Sequence, residues 1–237
     1  MIRNAVKKSS FPLLPSILVL SGFLLAAICI VVFAGLSEEL LENETFAFDH
    51  AIIKEVRSFH SPALDKLMIA VTELGSTMTI SILLLIGMAW LWFKRKNSWG
   101  MLFFFIVVAG GGLLNLLLKN TFQRARPTVN QMVEVTGFSF PSGHAMGNFI
   151  FYGYLGYLIV RSKRKALSKM VWTVVFVAIV LLIGVSRIYL GVHYPSDILA
   201  GFTAGAVWLL LCIAALELVY FYQRKRKRKR KTGSPAK

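Results

Sequence analysis

Largely apolar runs of membrane-crossing length, separated by short stretches whose charge alternates in sign, constrain this chain more than any other feature. Leu13 to Leu36 carries no charged residue, and further apolar runs cover about 66–93, 98–118, 143–160, 170–185 and 196–222. The hydrocarbon core of a bilayer is about 30 Å thick, so about 20 helical residues cross it. Six such runs predict an all-α polytopic membrane protein with six transmembrane helices. Composition agrees, with 56% hydrophobic and only 16% charged residues, where soluble domains carry about 25% charged.

The charges orient the spans. Arg3, Lys7 and Lys8 precede the first run, Lys94 to Lys96 follow the second, five basic residues lie in 161–169, and eight run from Arg224 to Lys231. With both termini cytoplasmic, 20 of the 27 basic residues fall inside and ten of the 11 acidic residues fall outside, Glu217 excepted. That is the positive-inside bias of membrane proteins. The first run, at 24 residues, exceeds the ~7–15 apolar residues of a secretory signal and is expected to remain as a span. Residues 37–65 are acidic, and Leu40, Leu41, Phe46, Phe48, Ile52, Ile53 and Val56 recur at helical spacing. One or two short amphipathic helices on the outer surface are expected there, with His50 and His60 as surface residues.

A net charge of +16 invites a nucleic-acid reading, but the position of the charges argues against it. The basic tail, residues 223–237, follows directly on an apolar run, where a cytoplasmic cluster sits against anionic lipid headgroups. Residues 1–222 form the single membrane domain, and the expected partners are the bilayer and its anionic lipids rather than nucleic acid. Cys29 and Cys212 lie within apolar runs without a CxxC neighbour and read as small buried hydrophobes. Gly110 to Gly112, and the pair Gly201 and Gly205, read as places where helices approach closely.

Against this background the stretch 119–197 stands out. Lys119 and Arg126 stand in KNTFQRARP, Pro141 to His144 read PSGH, and Ser186 to Asp197 read SRIYLGVHYPSD. In the six-span topology Lys119, Arg126, His144, Arg187, His193 and Asp197 all fall near the outer boundary. PSGH and YPSD each look like a helix start, with proline in the first turn. Two helix N-termini and three fixed cations suit a ligand with several negative oxygens, phosphate being the obvious candidate. His193 and Asp197, four residues apart, suit a carboxylate that fixes the imidazole tautomer and leaves the other nitrogen as a nucleophile towards phosphorus. His144 can then act as general acid and later as general base. A two-histidine, one-carboxylate metal set of His144, His193 and Asp197 is the rival, but three neighbouring cations oppose a divalent ion, and no metal is expected. Anion transport is a second rival. It requires polar residues through the spans, whereas this polar set gathers at one face.

The three motifs together resemble the type 2 phosphatidic acid phosphatase superfamily, whose pattern is KxxxxxxRP, PSGH and SRxxxxxHxxxD. They are complete here in residue and spacing, and the resemblance covers about 60–215. It implies a metal-independent lipid phosphatase needing no cofactor. The reaction would pass through a phosphohistidine at His193, oriented by Asp197, with His144 as acid. Lys119, Arg126, Ser142, Gly143 and Arg187 would hold the phosphate. The implied substrates are lipid monophosphates or pyrophosphates: phosphatidylglycerophosphate, undecaprenyl pyrophosphate, phosphatidate or diacylglycerol pyrophosphate. Phosphotransfer between lipids is the alternative use of the same site. Vanadium haloperoxidases share the motif pattern, but they are soluble, and six spans argue against that reading.

Overall fold

The computed structural model describes residues 13–42, 46–128 and 131–231. Arg3, Lys7, Lys8, Glu44 and Lys237, which enter the charge count, lie outside these. The described residues form eight helices: α1 (Leu13–Leu41), α2 (Ala47–Ser58), α3 (Pro62–Glu73), α4 (Thr77–Phe93), α5 (Ser98–Phe122), α6 (Gly143–Arg161), α7 (Ala166–Tyr189) and α8 (Pro195–Lys231). No strand occurs among them. The all-α expectation holds.

Four helices, α1, α5, α7 and α8, are long and apolar enough to cross a membrane. The expected second span is two pieces. Helices α3 and α4 meet at a 44° bend, because Ser61 and Ser76 each open a new helix by accepting the backbone N–H three residues on. The 37–65 segment also divides differently from expectation. Its first residues extend α1, its middle forms α2, and its end starts α3.

Helix α6 is less apolar than α1, α5, α7 and α8 for a physical reason. It packs against α4, α5, α7 and α8, so most of its surface meets protein rather than lipid and can carry Asn148, Tyr152 and Tyr154. Each donor among these side chains finds a backbone carbonyl: Asn148 donates to Gly75 O (3.1 Å), Tyr152 to Leu74 O (3.4 Å) and Tyr154 to Gly100 O (2.9 Å). Unpaired, each would cost a few kcal/mol in an apolar medium. Met146, Ile150 and Phe151 of α6 pack with Phe104, Val107 and Ile183, all essentially inaccessible. Phe104 stacks on Tyr154 with centroids 5.0 Å apart. The outward faces of α1, α4, α5 and α7 expose large apolar side chains such as Phe23, Ile86, Leu117 and Val174, the pattern of surface that lies against lipid.

Helices associate within lipid largely by close packing, because the tails are as apolar as leucine. Gly201 shows how close α6 and α8 come. A Cβ there would sit 2.8 Å from the Ser142 carbonyl oxygen and 2.9 Å from the Ala145 Cβ. Gly111 is similarly crowded by Ile150, whereas Gly112 faces open space. At the far end, Glu217, the one acidic residue counted on the inner side, pairs with Arg161 and accepts from Tyr157 Oη (2.7 Å). Cys29 and Cys212 are buried and free. Helix α8 runs without a break into the basic residues as far as Lys231.

The crossing yields a test. Gly201→Ala overpacks a backbone contact and is expected to cost about 1–3 kcal/mol, whereas Gly112→Ala is expected to be neutral or stabilising by up to about 1 kcal/mol. Thermal unfolding in detergent reads both. Equal effects would mean that α6 and α8 are not packed this tightly.

Candidate active site

The first turn of α8 carries a carboxylate with no accessible surface. Pro195 opens the helix where its missing N–H costs nothing, and Asp197 follows two residues later. Its Oδ2 accepts from the Tyr194 N–H (2.9 Å) and the Ser139 hydroxyl (2.5 Å), and lies 3.3 Å from His193 Nδ1. Its Oδ1 accepts from Arg124 Nη1 at 2.6 Å. Ser139 Oγ stands 3.2 Å from the same His193 Nδ1. The imidazole is thus gripped on one edge by two oxygens.

Its other edge identifies the tautomer. Arg126 Nη1 lies 3.2 Å from His193 Nε2. A guanidinium can only donate, so Nε2 is the acceptor and the ring proton sits on Nδ1, facing Asp197 and Ser139. Burial holds the His193 imidazole well below its ordinary value, at about 4, while the hydrogen bond to Asp197 pulls the other way. The ring is neutral above that pH, with its free lone pair on Nε2.

Two more cations join Arg126 here, Lys119 within electrostatic reach of His193, and Arg187 within reach of Lys119, Arg126 and His144. Lys119, in the last turn of α5, donates to the carbonyls of Phe138 and Ser139. Arg126 donates to the carbonyls of Gly137 (2.9 Å), Thr136 (3.0 Å) and Val192 (2.9 Å). Arg187, in the last turn of α7 and 4% exposed, donates to Thr72 Oγ1 at 2.8 Å and leaves its buried Nε without a partner. Among the described residues none of the three forms an ion pair. Cations that are partly or wholly buried on neutral acceptors favour an entering anion.

Helix α6 adds its N-terminus. The Ser142 hydroxyl caps it by accepting from the Ala145 N–H (3.4 Å), and the Ser142 N–H donates to the Asp197 carbonyl oxygen (3.0 Å). That bond ties the starts of α6 and α8 together. His144, one residue into α6, is half-buried and lies within electrostatic reach of Arg187, His193, Arg126 and Lys119. Its imidazole makes no hydrogen bond to a described residue. The eight residues singled out from the motifs therefore meet in one place. His144, His193 and Asp197 do not converge as a metal set, since no group of three His, Cys, Asp or Glu among the described residues is placed to share an ion.

Two expectations need correcting. The N-terminus of α8 is not open to an anion, because the Ser196 N–H already donates to Asp49 Oδ1 at 2.7 Å. Helix α2 is also more than a surface helix, since its Asp49 is 2% exposed. The residues missed by motif reasoning are Asp49, Thr72, Arg124 and Ser139. A signal existed for Asp49, which falls in the apolar stripe Phe46, Asp49, Ile53, Val56 at spacings of three, four and three residues. An acid on the buried face of an amphipathic helix needs a partner within the fold. Arg124, between Gln123 and Ala125, carried no comparable signal.

The comparisons with known proteins fit this arrangement. The sequence profile of the PAP2 superfamily matches residues 99–221. The chain is 35% identical over 178 residues to phosphatidylglycerophosphatase B of Bacillus subtilis (strain 168), covering 73% of this chain and 85% of that one. It is 30% identical over 155 residues to the undecaprenyl-diphosphatase BcrC of the same strain, covering 63% and 74% respectively. The crystal structure of the first transmembrane PAP2-type phosphatidylglycerolphosphate phosphatase from Bacillus subtilis superposes with a TM-score of 0.75 at 31% identity, over 82% of this chain and 96% of that one. The chain belongs to the PAP2 superfamily of membrane lipid phosphatases.

The environment of His193 predicts its titration. In histidine-selective 15N NMR of the substrate-free protein, with His193→Ala assigning the signal, the ring should still be neutral at pH 5.5. A midpoint near 6.5 would show that burial does not control it.

Proposed function

We propose that this protein hydrolyses a lipid phosphate or pyrophosphate monoester through a phosphohistidine on His193. The observation that carries the reading is the neutral His193, with Nδ1–H turned to Asp197 and Nε2 turned to Arg126 among three unpaired cations. An entering phosphoryl group displaces Arg126 from Nε2 and takes up its donors together with those of Lys119, Arg187 and the Gly143 N–H. Nε2 attacks phosphorus, the N–P bond forms and the P–O bond to the lipid breaks, in line. The cations offset charge on the equatorial oxygens. His144, charged once the negative phosphate oxygens have entered beside it, gives its proton to the departing lipid oxygen. It then takes a proton from water, which attacks phosphorus, breaks the N–P bond and releases phosphate. Ser142 serves this site through the helix start it caps.

The charge distribution supports six spans with both termini cytoplasmic, α3 and α4 serving as one bent span and α6 as the central one. The site then faces the outer side of a cell membrane. The basic residues at the end of α8 lie against anionic headgroups on the inner side. The relatives point to phosphatidylglycerophosphate and undecaprenyl pyrophosphate as the first substrates to assay, with phosphatidate and diacylglycerol pyrophosphate alongside. Three cations in the cradle oppose a divalent ion, so the reaction needs none.

In detergent, His193→Ala should abolish phosphate release from that panel, and His144→Ala should lower it by about 10²–10⁴-fold. Full activity of a folded His193→Ala protein would remove the phosphohistidine. A chelator should leave the wild-type rate unchanged, whereas loss restored by a divalent ion would overturn metal independence. On a background with Cys29 and Cys212 replaced by alanine, an impermeant maleimide applied to whole cells should label Gln131→Cys but not Lys165→Cys. The reverse would put the site inside.

A further inference from the structure

Asp49 and Arg124 have no part in the steps above, yet both are built into the site. Asp49 Oδ1 accepts the Ser196 N–H at 2.7 Å, and Oδ2 accepts the Ser196 hydroxyl at 2.6 Å and Arg124 Nη2 at 3.2 Å. Arg124 Nη1 donates to Asp197 Oδ1 at 2.6 Å and to Ser196 Oγ at 2.7 Å. The guanidinium is held on its faces as well, with Cζ 4.1 Å from the Tyr194 ring centroid and 5.4 Å from that of Phe46. One guanidinium fork therefore serves two buried carboxylates, one on α2 and one on α8.

The consequence falls on Asp197. Its Oδ2 is committed to His193, Ser139 and the Tyr194 N–H. The last torsion of an aspartate is broad, so a carboxylate held only at Oδ2 can swing away from Nδ1. Arg124 on Oδ1 removes that freedom. Asp49 in turn holds Arg124, which stands two residues from Arg126 and would otherwise be drawn to an entering phosphate. The cations divide by function: among the described residues Lys119, Arg126 and Arg187 have no carboxylate partner, whereas Arg124 has two.

We propose that Asp49 and Arg124 are positioning residues, a carboxylate–guanidinium brace through which the outer helix α2 holds Asp197 in the orientation that fixes the His193 tautomer. This rests on His193 as the nucleophile. The brace binds no phosphate itself, and it makes α2 part of the machinery of the reaction.

Steady-state kinetics on the purified full-length protein, with product inhibition by inorganic phosphate, test it. Arg124→Gln is expected to lower kcat about 10–100-fold, by analogy with residues that orient metal ligands. KM and phosphate inhibition should change less than about twofold, because the cradle is intact. Asp49→Asn should lower kcat in the same way but less, and the double variant should be no slower than Arg124→Gln alone, since Asp49 acts through Arg124. Arg124→Lys should recover only part of the rate, an ammonium lacking the planar fork. Should Arg124→Gln fail to fold, Asp49→Asn carries the test. Unchanged kcat in folded variants would overturn the brace, as would a matching loss of phosphate inhibition or independent, multiplying effects of the two changes. His193→Ala separates the two levels. If it is inactive while the brace variants run at full rate, only the brace falls. If it is active, the nucleophile assignment falls first.

Discussion

The carboxylate of Asp197 is the group on which the outer end of this molecule depends. Taking an isolated carboxylate out of water costs several kcal/mol even after the protein relaxes, and Asp197 has no exposed surface. It is tolerated because donors arrive from four directions: Ser139 and Arg124 from the loop after α5, and His193 and the Tyr194 N–H from the loop before α8. Its own carbonyl oxygen takes the Ser142 N–H at the start of α6. Two loops and two helix starts are therefore registered against one residue. The relative position of His144 and His193 follows from that registration.

The cations show the opposite condition. Lys119, Arg126 and Arg187 rest on carbonyls and one hydroxyl, and Arg187 keeps an unpartnered buried N–H. Such groups are less well satisfied than an ion pair would make them, and the shortfall is what an anion with several oxygens would relieve. Arg124 lies in the same loop as Arg126 and carries the same charge, but it meets Asp49 and Asp197. Chemically identical side chains are thus assigned to an open cradle or to a closed brace by whether a carboxylate is within reach.

Beneath the site the helices answer to the membrane. The apolar side chains that a soluble protein would hide face outwards on α1, α4, α5 and α7, while α6 carries the polar residues because protein surrounds it. The absence of a side chain at Gly201 lets α8 touch the backbone of α6 next to Ser142. The same contact packs the bundle and places the PSGH turn beside Asp197.

Much of this was legible in the chain. The apolar runs announced helices because lipid and helix length impose a coarse rule that single residues rarely override. Lys119, Arg126, His144, Arg187, His193 and Asp197 were legible because each is a charged or titratable group set among apolar runs. Rules of that kind depend on composition and spacing, which a sequence contains. Other features depended on which segments come together. Asp49 was visible as an acid in an apolar stripe, but not that its partner would be Arg124, some 75 positions away. The bend between α3 and α4, the central place of α6, the use of the α8 N-terminus by Asp49 and the insertion of Ser139 between His193 and Asp197 were likewise decided by tertiary structure. A hydrogen bond requires two groups within about 3 Å, and for groups far apart in the chain only the packed helices set that distance.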